Sequence, residues 1–222
     1  MDLYRHRILP RLIDWVMGQE TLAEFRSRVV GGARGRVLEI GIGSGRNLPF
    51  YAAAAGEVVG IDPSTELIAM ARRNAAAASR PVTLPVTFVE QTAERLPFAD
   101  ESFDTVVVTW SLCSIPDPSA ALREACRVLK PGGELRFVEH GLAPAPGVQR
   151  WQHRVTPLWS RCSGGCHLDR RMDDLIRAAG FHITDLTKRY LPGPKIMTFM
   201  YEGTAVPAAS AGQPEDTIPH HR

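Results

Sequence analysis

Three glycines at alternate positions form the stretch of this sequence best suited to chemistry. The apolar run Arg36–Ile40 leads directly into Gly41, Gly43 and Gly45. A glycine turn between a strand and a helix presents backbone N–H groups to a nucleotide-like ligand. The dinucleotide pattern needs its third glycine one position later, where Arg46 stands instead. The glycines alone would also fit a turn that binds nothing, because glycine adopts positive φ freely.

Two carboxylates near this turn narrow the choice of ligand. Glu39 lies inside the apolar run, where it would repel a pyrophosphate but would suit an ammonium group. Asp62 ends the next apolar run and can accept hydrogen bonds from both hydroxyls of a ribose. An amino acid joined to a ribose without phosphates describes S-adenosylmethionine.

The elements that position these residues alternate between strands and helices. The β-branched runs predicted as strands are Arg36–Ile40, Glu57–Ile61, Val86–Glu90, Phe103–Thr109 and Glu134–Glu139, and the predicted helices are Ser64–Ala78 and Pro118–Leu129. Such alternation implies a parallel sheet with helices on both faces. After residues 141–171, which carry tryptophans and cysteines, we expect a helix near Met172–Ala179 and strands within Phe181–Leu191 and Lys195–Val206.

The two ends of the chain are predicted to lie outside the main domain, residues 36–206. Residues 1–35 are predicted to form a helical lid over the cofactor edge, with helices at Pro10–Met17 and Thr21–Val30. The first helix is amphipathic and basic, so peripheral membrane contact is the alternative. Residues 141–171 are interpreted as a substrate cap, and 207–222 as a disordered tail.

Composition excludes several classes of function. The 222 residues carry a net charge of +2, which gives no field suited to nucleic acid. No apolar run is long enough for a transmembrane helix, and charged residues follow Met1 at once, so no signal peptide is expected. Four scattered cysteines do not indicate a disulfide framework. We therefore expect a cytoplasmic protein, and the sequence does not indicate its oligomeric state.

Four motifs in order resemble the class I S-adenosylmethionine-dependent methyltransferases. They are VLEIGIGSG (37–45), VVGIDPS (58–64), AERLPFADESFDTVVVTWSLCSIPD (93–117) and LREACRVLKPGGELRFVEHG (122–141). The third is typical of the subgroup that contains the ubiquinone and menaquinone C-methyltransferases. The resemblance implies an α/β fold with a Rossmann-like, seven-stranded, mostly parallel sheet whose last strand is antiparallel.

The resemblance also implies which residues bind S-adenosylmethionine. They are Glu39, Gly41, Gly43, Gly45, Asn47, Asp62, Pro63, Thr92, Ala93, Glu94, Trp110 and Leu112. Glu39 would face the amino-acid end of the cofactor, Asp62 the ribose, and Pro63 with residues 92–94 the adenine. Many relatives have aspartate where Thr92 stands, and a threonine hydroxyl accepts the adenine amino group more weakly. Trp110 and Leu112 end the fourth strand, nearest the expected methyl group.

The C-terminal third resembles a second group, the small-thiol S-methyltransferases of animal membranes (the methyltransferase-like seven family). The shared residues are Leu112–Ser114, Glu139, His140, Trp151, Gln152, Pro157, Trp159 and Gly165–Arg170. The animal proteins begin with a hydrophobic anchor, which this chain does not show, so membrane attachment is not carried over. The resemblance makes a small thiol the leading acceptor. A quinol, phenol or lipid amine, or a non-catalytic cofactor-binding role, are the alternatives.

His140 is the expected catalytic residue, as a base or a thiolate-stabilising group, because it follows the fifth strand. His153 is the second candidate, and an ordinary loop position is the alternative for both. Trp151 and Trp159 are expected to line the cap. Cys162-x-x-x-Cys166-His167, with Cys113 nearby, offers soft ligands but lacks the usual metal-site spacing, so no metal is expected.

Overall fold

A single mixed sheet organises the computed structural model, which describes residues 3–77 and 84–208. Within those ranges the strands are β1 (Gly35–Ile40), β2 (Ala55–Asp62), β3 (Val86–Glu90), β4 (Phe103–Thr109), β5 (Leu129–His140), β6 (Phe181–Tyr190) and β7 (Phe199–Pro207). Their order is β3-β2-β1-β4-β5-β7-β6. All neighbouring pairs are parallel except those of β7, which runs antiparallel to β5 and β6. The predicted fold class is confirmed.

The helices of the described residues lie between these strands and before them. They are α1 (Leu9–Met17), α2 (Ala23–Val29), α3 (Thr65–Ala77), α4 (Pro118–Val128), α5 (Pro146–Cys162) and α6 (Met172–Ala178). A π-helical turn, Tyr4–Ile8, leads into α1. At the start of α4, the Asp117 side chain accepts a hydrogen bond from the amide of Ala120, as its N-cap position predicts. The predicted tail lies outside the described residues from 209 onward.

Helices cover both faces of the sheet because successive residues of its central strands point in opposite directions. Val106 of β4 packs with Leu122 of α4 and Ile176 of α6 on one face. Val107, the next residue, packs on the other face with Val30, which follows α2. These central strands are apolar on both faces, as buried parallel strands are.

The carboxyl ends of β1, β2, β4 and β5 meet at one edge of the sheet. The chain leaves that edge at Gly41, Asp62, Trp110 and His140. β1 lies between β2 and β4, so the strand order reverses there. Open α/β sheets bind ligands in the crevice at such a reversal.

The described residues contain no helix that combines the length and the apolar character needed to cross a bilayer. The cytoplasmic location and the domain boundaries stay predictions.

Candidate active site

The glycine loop after β1 packs closely against protein at Gly41 and Gly45, whereas the position of Gly43 is open. Gly41, Gly43 and Gly45 all have positive φ, between 55° and 79°. A Cβ at Gly41 would lie 2.0 Å from Ser111 Oγ, and one at Gly45 would lie 3.3 Å from Ala71. At Gly43 the nearest atom would be 3.9 Å away. The loop therefore packs against protein at its ends and presents its middle to a ligand.

Glu39 is buried beneath this loop in a network of neutral donors. Asn47 Nδ2 donates to Glu39 Oε1 at 2.9 Å and also to Thr109 Oγ1 at 2.9 Å. The Tyr51 hydroxyl donates to Glu39 Oε2 at 2.7 Å. Burial raises the pKa of Glu39 to about 7, although these hydrogen bonds and the charge of Arg26 oppose the shift. A bound ammonium group would reverse it.

Arg26 supplies a buried positive charge on the same side of the crevice. Its Nε donates to Asn47 Oδ1 at 2.9 Å, and its guanidinium lies 5.0 Å from the centre of the Trp110 ring. Burial lowers the pKa of Arg26 to about 10, and the charge of Glu39 opposes this shift. Arg26 and Glu39 together present both charges needed by a zwitterionic amino-acid group. Arg26 is not among the residues predicted from the sequence, because no local pattern links α2 to the glycine loop.

Asp62 ends β2 beside the loop and is already oriented by two backbone amides. Its Oδ2 accepts from Gly43 N at 3.1 Å, and its Oδ1 accepts from Ser64 N at 2.8 Å. Burial raises its pKa to about 6, and both amides oppose the shift. A carboxylate offers about four acceptor sites. Asp62 therefore keeps the capacity to accept both hydroxyls of a ribose.

The residues predicted to hold adenine follow the two neighbouring strands on the same edge. Pro63 is exposed just after β2, and Thr92 is exposed just after β3. Ala93 is buried and Glu94 is half-buried, with Glu94 Oε1 accepting weakly from Asp117 N at 3.5 Å. These residues lie next to Asp62 along the sheet edge, and their contacts with adenine stay predictions.

Trp110 has two unusual features for a residue at the end of a strand. Its φ is 49°, a left-handed conformation that bulky residues rarely adopt. Its indole Nε1 is buried and has no hydrogen-bond partner among the described residues. Strained backbone and unpaired buried donors concentrate at ligand sites. Both features, with the open position at Gly43, fit a site that accepts the nucleoside and amino-acid groups of S-adenosylmethionine.

The loop after β4 is held by the buried carboxylate of Glu139, a residue that the resemblance to the thiol methyltransferases names without giving it a role. Glu139 Oε1 accepts from the amides of Ser111 and Leu112 at 2.6 and 2.9 Å, and Oε2 accepts from Cys113 N at 3.4 Å. Burial raises the pKa of Glu139 to about 7, although the amides oppose the shift. Leu112, predicted to lie near the methyl group, is buried inside this loop.

His140 lies next to a cysteine rather than in an open loop. Its Nε2 is 3.1 Å from Cys166 Sγ, and Trp159 Nε1 donates to the same sulfur at 3.3 Å. Burial lowers the pKa of His140, but the hydrogen bond with Cys166 and the charge of Glu139 outweigh it, so the pKa is raised. His140 is thus placed where it can hold a proton beside a sulfur atom.

The other candidates of the C-terminal third separate into inner and outer faces of α5. Trp159 contacts the site, but Trp151 is 60% exposed, so its predicted place in the cap lining is wrong. His153 is exposed and pairs with Asp169 at 3.0 Å. The inner face instead carries Gln152, whose amide bonds Gly141 O, Ala143 N and Ile196 O, and anchors α5 to the chain after β5.

α1 packs against the glycine loop, and the π-helical turn before it reaches the end of α5. Asp14 Oδ1 accepts from Ser44 Oγ at 2.6 Å and from Arg46 Nε at 2.7 Å, which joins α1 to the glycine loop. The Tyr4 hydroxyl donates to Cys162 O at 2.5 Å, at the end of α5. This position is the one that a lid would occupy, and the lid role stays a prediction.

Comparisons with known proteins agree with the arrangement. A family model described as "Methyltransferase domain" matches residues 38–137. Thiol S-methyltransferase TMT1B of Rattus norvegicus is 36% identical over 169 residues, 72% of this chain and 68% of that protein. Demethylmenaquinone methyltransferase of Clavibacter sepedonicus is 36% identical over 115 residues, 52% of this chain and 45% of that protein.

One solved structure, a putative methyltransferase from Bacillus halodurans, shares the fold with a TM-score of 0.65 at 19% identity. It covers 83% of this chain and 95% of its own. The glycine loop, the two carboxylates and these similarities lead to one conclusion. The chain belongs to the class I S-adenosylmethionine-dependent methyltransferases and takes its methyl group from S-adenosylmethionine.

Proposed function

We propose that this methyltransferase transfers its methyl group to the sulfur of a small, apolar thiol. The observation that carries the proposal is the 36% identity to a thiol S-methyltransferase across 68% of that protein's length. The surroundings of His140 support it, because the aromatic ring of Trp159 and the soft sulfur of Cys166 lie beside the histidine.

Thiol chemistry also suits the groups that this site offers. S-adenosylmethionine supplies a methyl group already activated by a positive sulfur, so transfer mainly needs alignment and exclusion of water. A thiol with a pKa of about 8.5 is partly ionised at neutral pH. The acceptor's S–H proton leaves to water or to a nearby base, and the new C–S bond forms as the methyl bond to the cofactor sulfur breaks. His140 stands where it can take that proton or stabilise the thiolate.

In this proposal each charged residue near the glycine loop binds a different group of the cofactor. Glu39 binds the ammonium and Arg26 the carboxylate of the amino-acid end, and Asp62 binds the ribose. The backbone around Gly43 packs against the cofactor, because the open position there leaves room for it, and Thr92–Glu94 flank the adenine.

A quinol acceptor is the second candidate, favoured by the identity to demethylmenaquinone methyltransferase. That similarity covers 45% of the relative, against 68% for the thiol enzyme. Carbon methylation of a quinol profits from a base that removes its proton. A lipid amine, and a protein that binds S-adenosylmethionine without transferring it, are further alternatives.

An acceptor panel tests the proposal. The purified protein is incubated with methyl-labelled S-adenosylmethionine and alkyl thiols, aryl thiols, phenols, quinols or amines, and products are identified by mass spectrometry. Asp62→Ala serves as the cofactor-binding control, and Asp174→Ala as a matched control on an exposed carboxylate. We expect thioethers from the wild type and from Asp174→Ala. Methylated quinol or amine without any thioether would overturn the thiol proposal.

A further inference from the structure

Two cysteines and a histidine from three distant segments converge at the acceptor side of the edge. The Sγ atoms of Cys113 and Cys166 and a ring nitrogen of His140 all lie within 4.8 Å of one another. Cys113 follows β4, His140 ends β5, and Cys166 lies between α5 and α6. Nothing in the cofactor chemistry described above requires this convergence.

Backbone contacts hold the three ligand-bearing segments together. The amide of His167 donates to Cys113 O at 2.8 Å, which joins the segment of Cys166 to the loop after β4. Gly165 has a φ of 96°, and a Cβ there would approach Ser114 O to 3.0 Å, so the close passage of the two segments favours glycine. On the other side, the carboxylate of Glu139 fixes the amides of residues 111–113. The side chains are therefore positioned by the fold itself.

Two thiolates and one imidazole are the donor set of a borderline-soft divalent cation. Zn²⁺ takes sulfur at about 2.3 Å and imidazole nitrogen at about 2.0–2.1 Å, so its ligand atoms lie about 3.3–3.8 Å apart. The three atoms here lie within 4.8 Å of one another, so they reach that spacing with side-chain movements of about 1 Å. Cys₂His is a donor set of catalytic zinc sites, which leave the fourth position for substrate.

The surroundings also suit metal-bound thiolates. The indole N–H of Trp159 can only donate, and it donates to Cys166 Sγ at 3.3 Å. The Ser114 hydroxyl lies 3.5 Å from Cys113 Sγ. Donors of this kind orient ligands and stabilise their negative charge. Two thiolates, a neutral imidazole and a divalent cation form an electrically neutral unit, so burial carries no net charge penalty. Cys166 and His140 are half-buried, which leaves one side of the cluster open.

We propose that Cys113, His140 and Cys166 bind a zinc-like divalent cation whose open fourth position takes the sulfur of the acceptor thiol. The second half of this statement rests on the proposed function. Binding of the acceptor forms a metal–sulfur bond, and the thiol proton leaves to water. The cation thus lowers the pKa of the acceptor thiol, as metals do for coordinating thiols. His140 then acts as a ligand rather than as a free base.

This site differs from the soft-ligand pattern in the sequence, for which no metal was expected. Cys162 is exposed. His167 turns toward Asp169, with 3.8 Å between Nδ1 and Oδ1. Only Cys166 of that local pattern joins the cluster, and its partners come from the ends of β4 and β5.

Cobalt(II) is the probe, because thiolate ligands give it charge-transfer bands in the near ultraviolet and tetrahedral geometry gives strong visible bands. Reduced, chelator-treated full-length protein is titrated with Co²⁺, followed by competition with Zn²⁺. The variants are Cys113→Ser, Cys166→Ser and His140→Gln, with Cys162→Ser as the matched control. Circular dichroism and S-adenosylmethionine affinity show that each variant folds.

We expect one equivalent of Co²⁺ with thiolate bands in the wild type and in Cys162→Ser. Each ligand variant should bind more weakly by a larger factor than the about 10–100-fold that loss of an outer-shell partner costs. Adding a small thiol should shift the visible bands in the wild type. Cobalt that binds without thiolate bands, or equally well in folded Cys166→Ser, would overturn the metal site.

The two proposals fail in different ways. A protein that methylates thiols at full rate after chelation, and shows no cobalt–thiolate bands, contradicts the cation and leaves the thiol function standing. A protein with the cobalt bands whose spectrum ignores thiols, and which methylates only a quinol or amine, contradicts the acceptor position and the thiol function while the three protein ligands stand.

Discussion

The cofactor side and the acceptor side of the sheet edge are built in opposite ways. The cofactor side takes Glu39, the glycines and Asp62 from 24 consecutive residues, which run from the end of β1 through the glycine loop and a short 3-10 helix (Leu48–Phe50) to the end of β2. The acceptor side takes Cys113, His140 and Cys166 from segments joined only by long-range contacts. The first group of residues is therefore positioned by local sequence, whereas tertiary packing brings the second group together.

The two sides also differ in the hydrogen-bond partners of their buried charged groups. Glu39 and Arg26 are buried charges surrounded by neutral hydrogen-bond partners, ready for a zwitterion. On the acceptor side, the buried carboxylate of Glu139 is already occupied by three backbone amides. Substitutions on the cofactor side should therefore act on binding, and those on the acceptor side on loop geometry and turnover.

The largest effect is expected at Asp62. Asp62→Ala removes two charge-assisted hydrogen bonds to the ribose, each worth about 1.5–3 kcal/mol, so S-adenosylmethionine affinity should fall by about 100-fold or more. Calorimetry measures it, with Asp100→Ala as a control on an exposed carboxylate. Unchanged affinity, or tight NAD binding by the wild type, would contradict the assignment of the cofactor side.

Glu139→Ala should damage the acceptor side and spare the cofactor side. The substitution leaves the buried amides of residues 111–113 without their acceptor, at a cost of about 3 kcal/mol in the free energy of unfolding. Urea denaturation measures the loss, and kcat should fall while cofactor affinity stays within a few-fold. If cofactor affinity fell as far as in Asp62→Ala, the two sides would not be separable.

A pH dependence of cofactor binding is expected from Glu39. Its raised pKa, about 7, means that the free protein holds a proton there at pH 6, and an ammonium group must displace it. Affinity should therefore rise by about 10-fold from pH 6 to pH 8. In Glu39→Gln this part of the pH dependence should disappear, while Asp62, with a lower pKa of about 6, adds a smaller rise.

A smaller effect is expected from α1. The structure restricts the useful truncation to residues 1–18, because Phe25 and Val29 of α2 pack in the core. Loss of the Asp14 contacts to Ser44 and Arg46 should weaken S-adenosylmethionine binding a few-fold and leave the sheet folded.

The alternative role of α1, membrane binding, depends on exposed apolar side chains and not on the contacts of Asp14. Large apolar side chains exposed on the π-helical turn, α1 and α5 are Ile8, Leu12, Trp15, Val16, Trp151 and Leu158. Sedimentation with anionic vesicles compares the wild type with Trp15→Ser, and Asp174→Ala is the control. Vesicle binding that Trp15→Ser abolishes, with unchanged cofactor affinity, would assign α1 to the membrane rather than to the cofactor.

The same contrast explains what the sequence could predict. The strands, the glycine turn, Asp62 and the N-cap of α4 follow from patterns within a few residues of one another. Arg26 depends on which segments meet after folding, and no local pattern indicates it. The resemblance names Glu139, and the cysteine pattern places Cys113 near Cys166, but neither gives the amide contacts of Glu139 or the contact of Cys166 with His140. Trp151 and Gln152 are neighbours in sequence but point to opposite sides of α5, one exposed and one buried. The prediction for Trp151 is wrong because no helix was expected within residues 141–171.

The most direct test of the central claim is the pH dependence of methyl transfer to two thiols with different pKa values, for example an aryl and an alkyl thiol. If the acceptor sulfur is the nucleophile, the rate rises with the ionisation of that thiol, and the rise moves to lower pH for the more acidic acceptor. His140→Ala should change the rate, but the pH profile should still follow the ionisation of the acceptor thiol and not that of an enzyme group. A profile that stays near a histidine pKa of ~6.5 for both thiols would contradict the account.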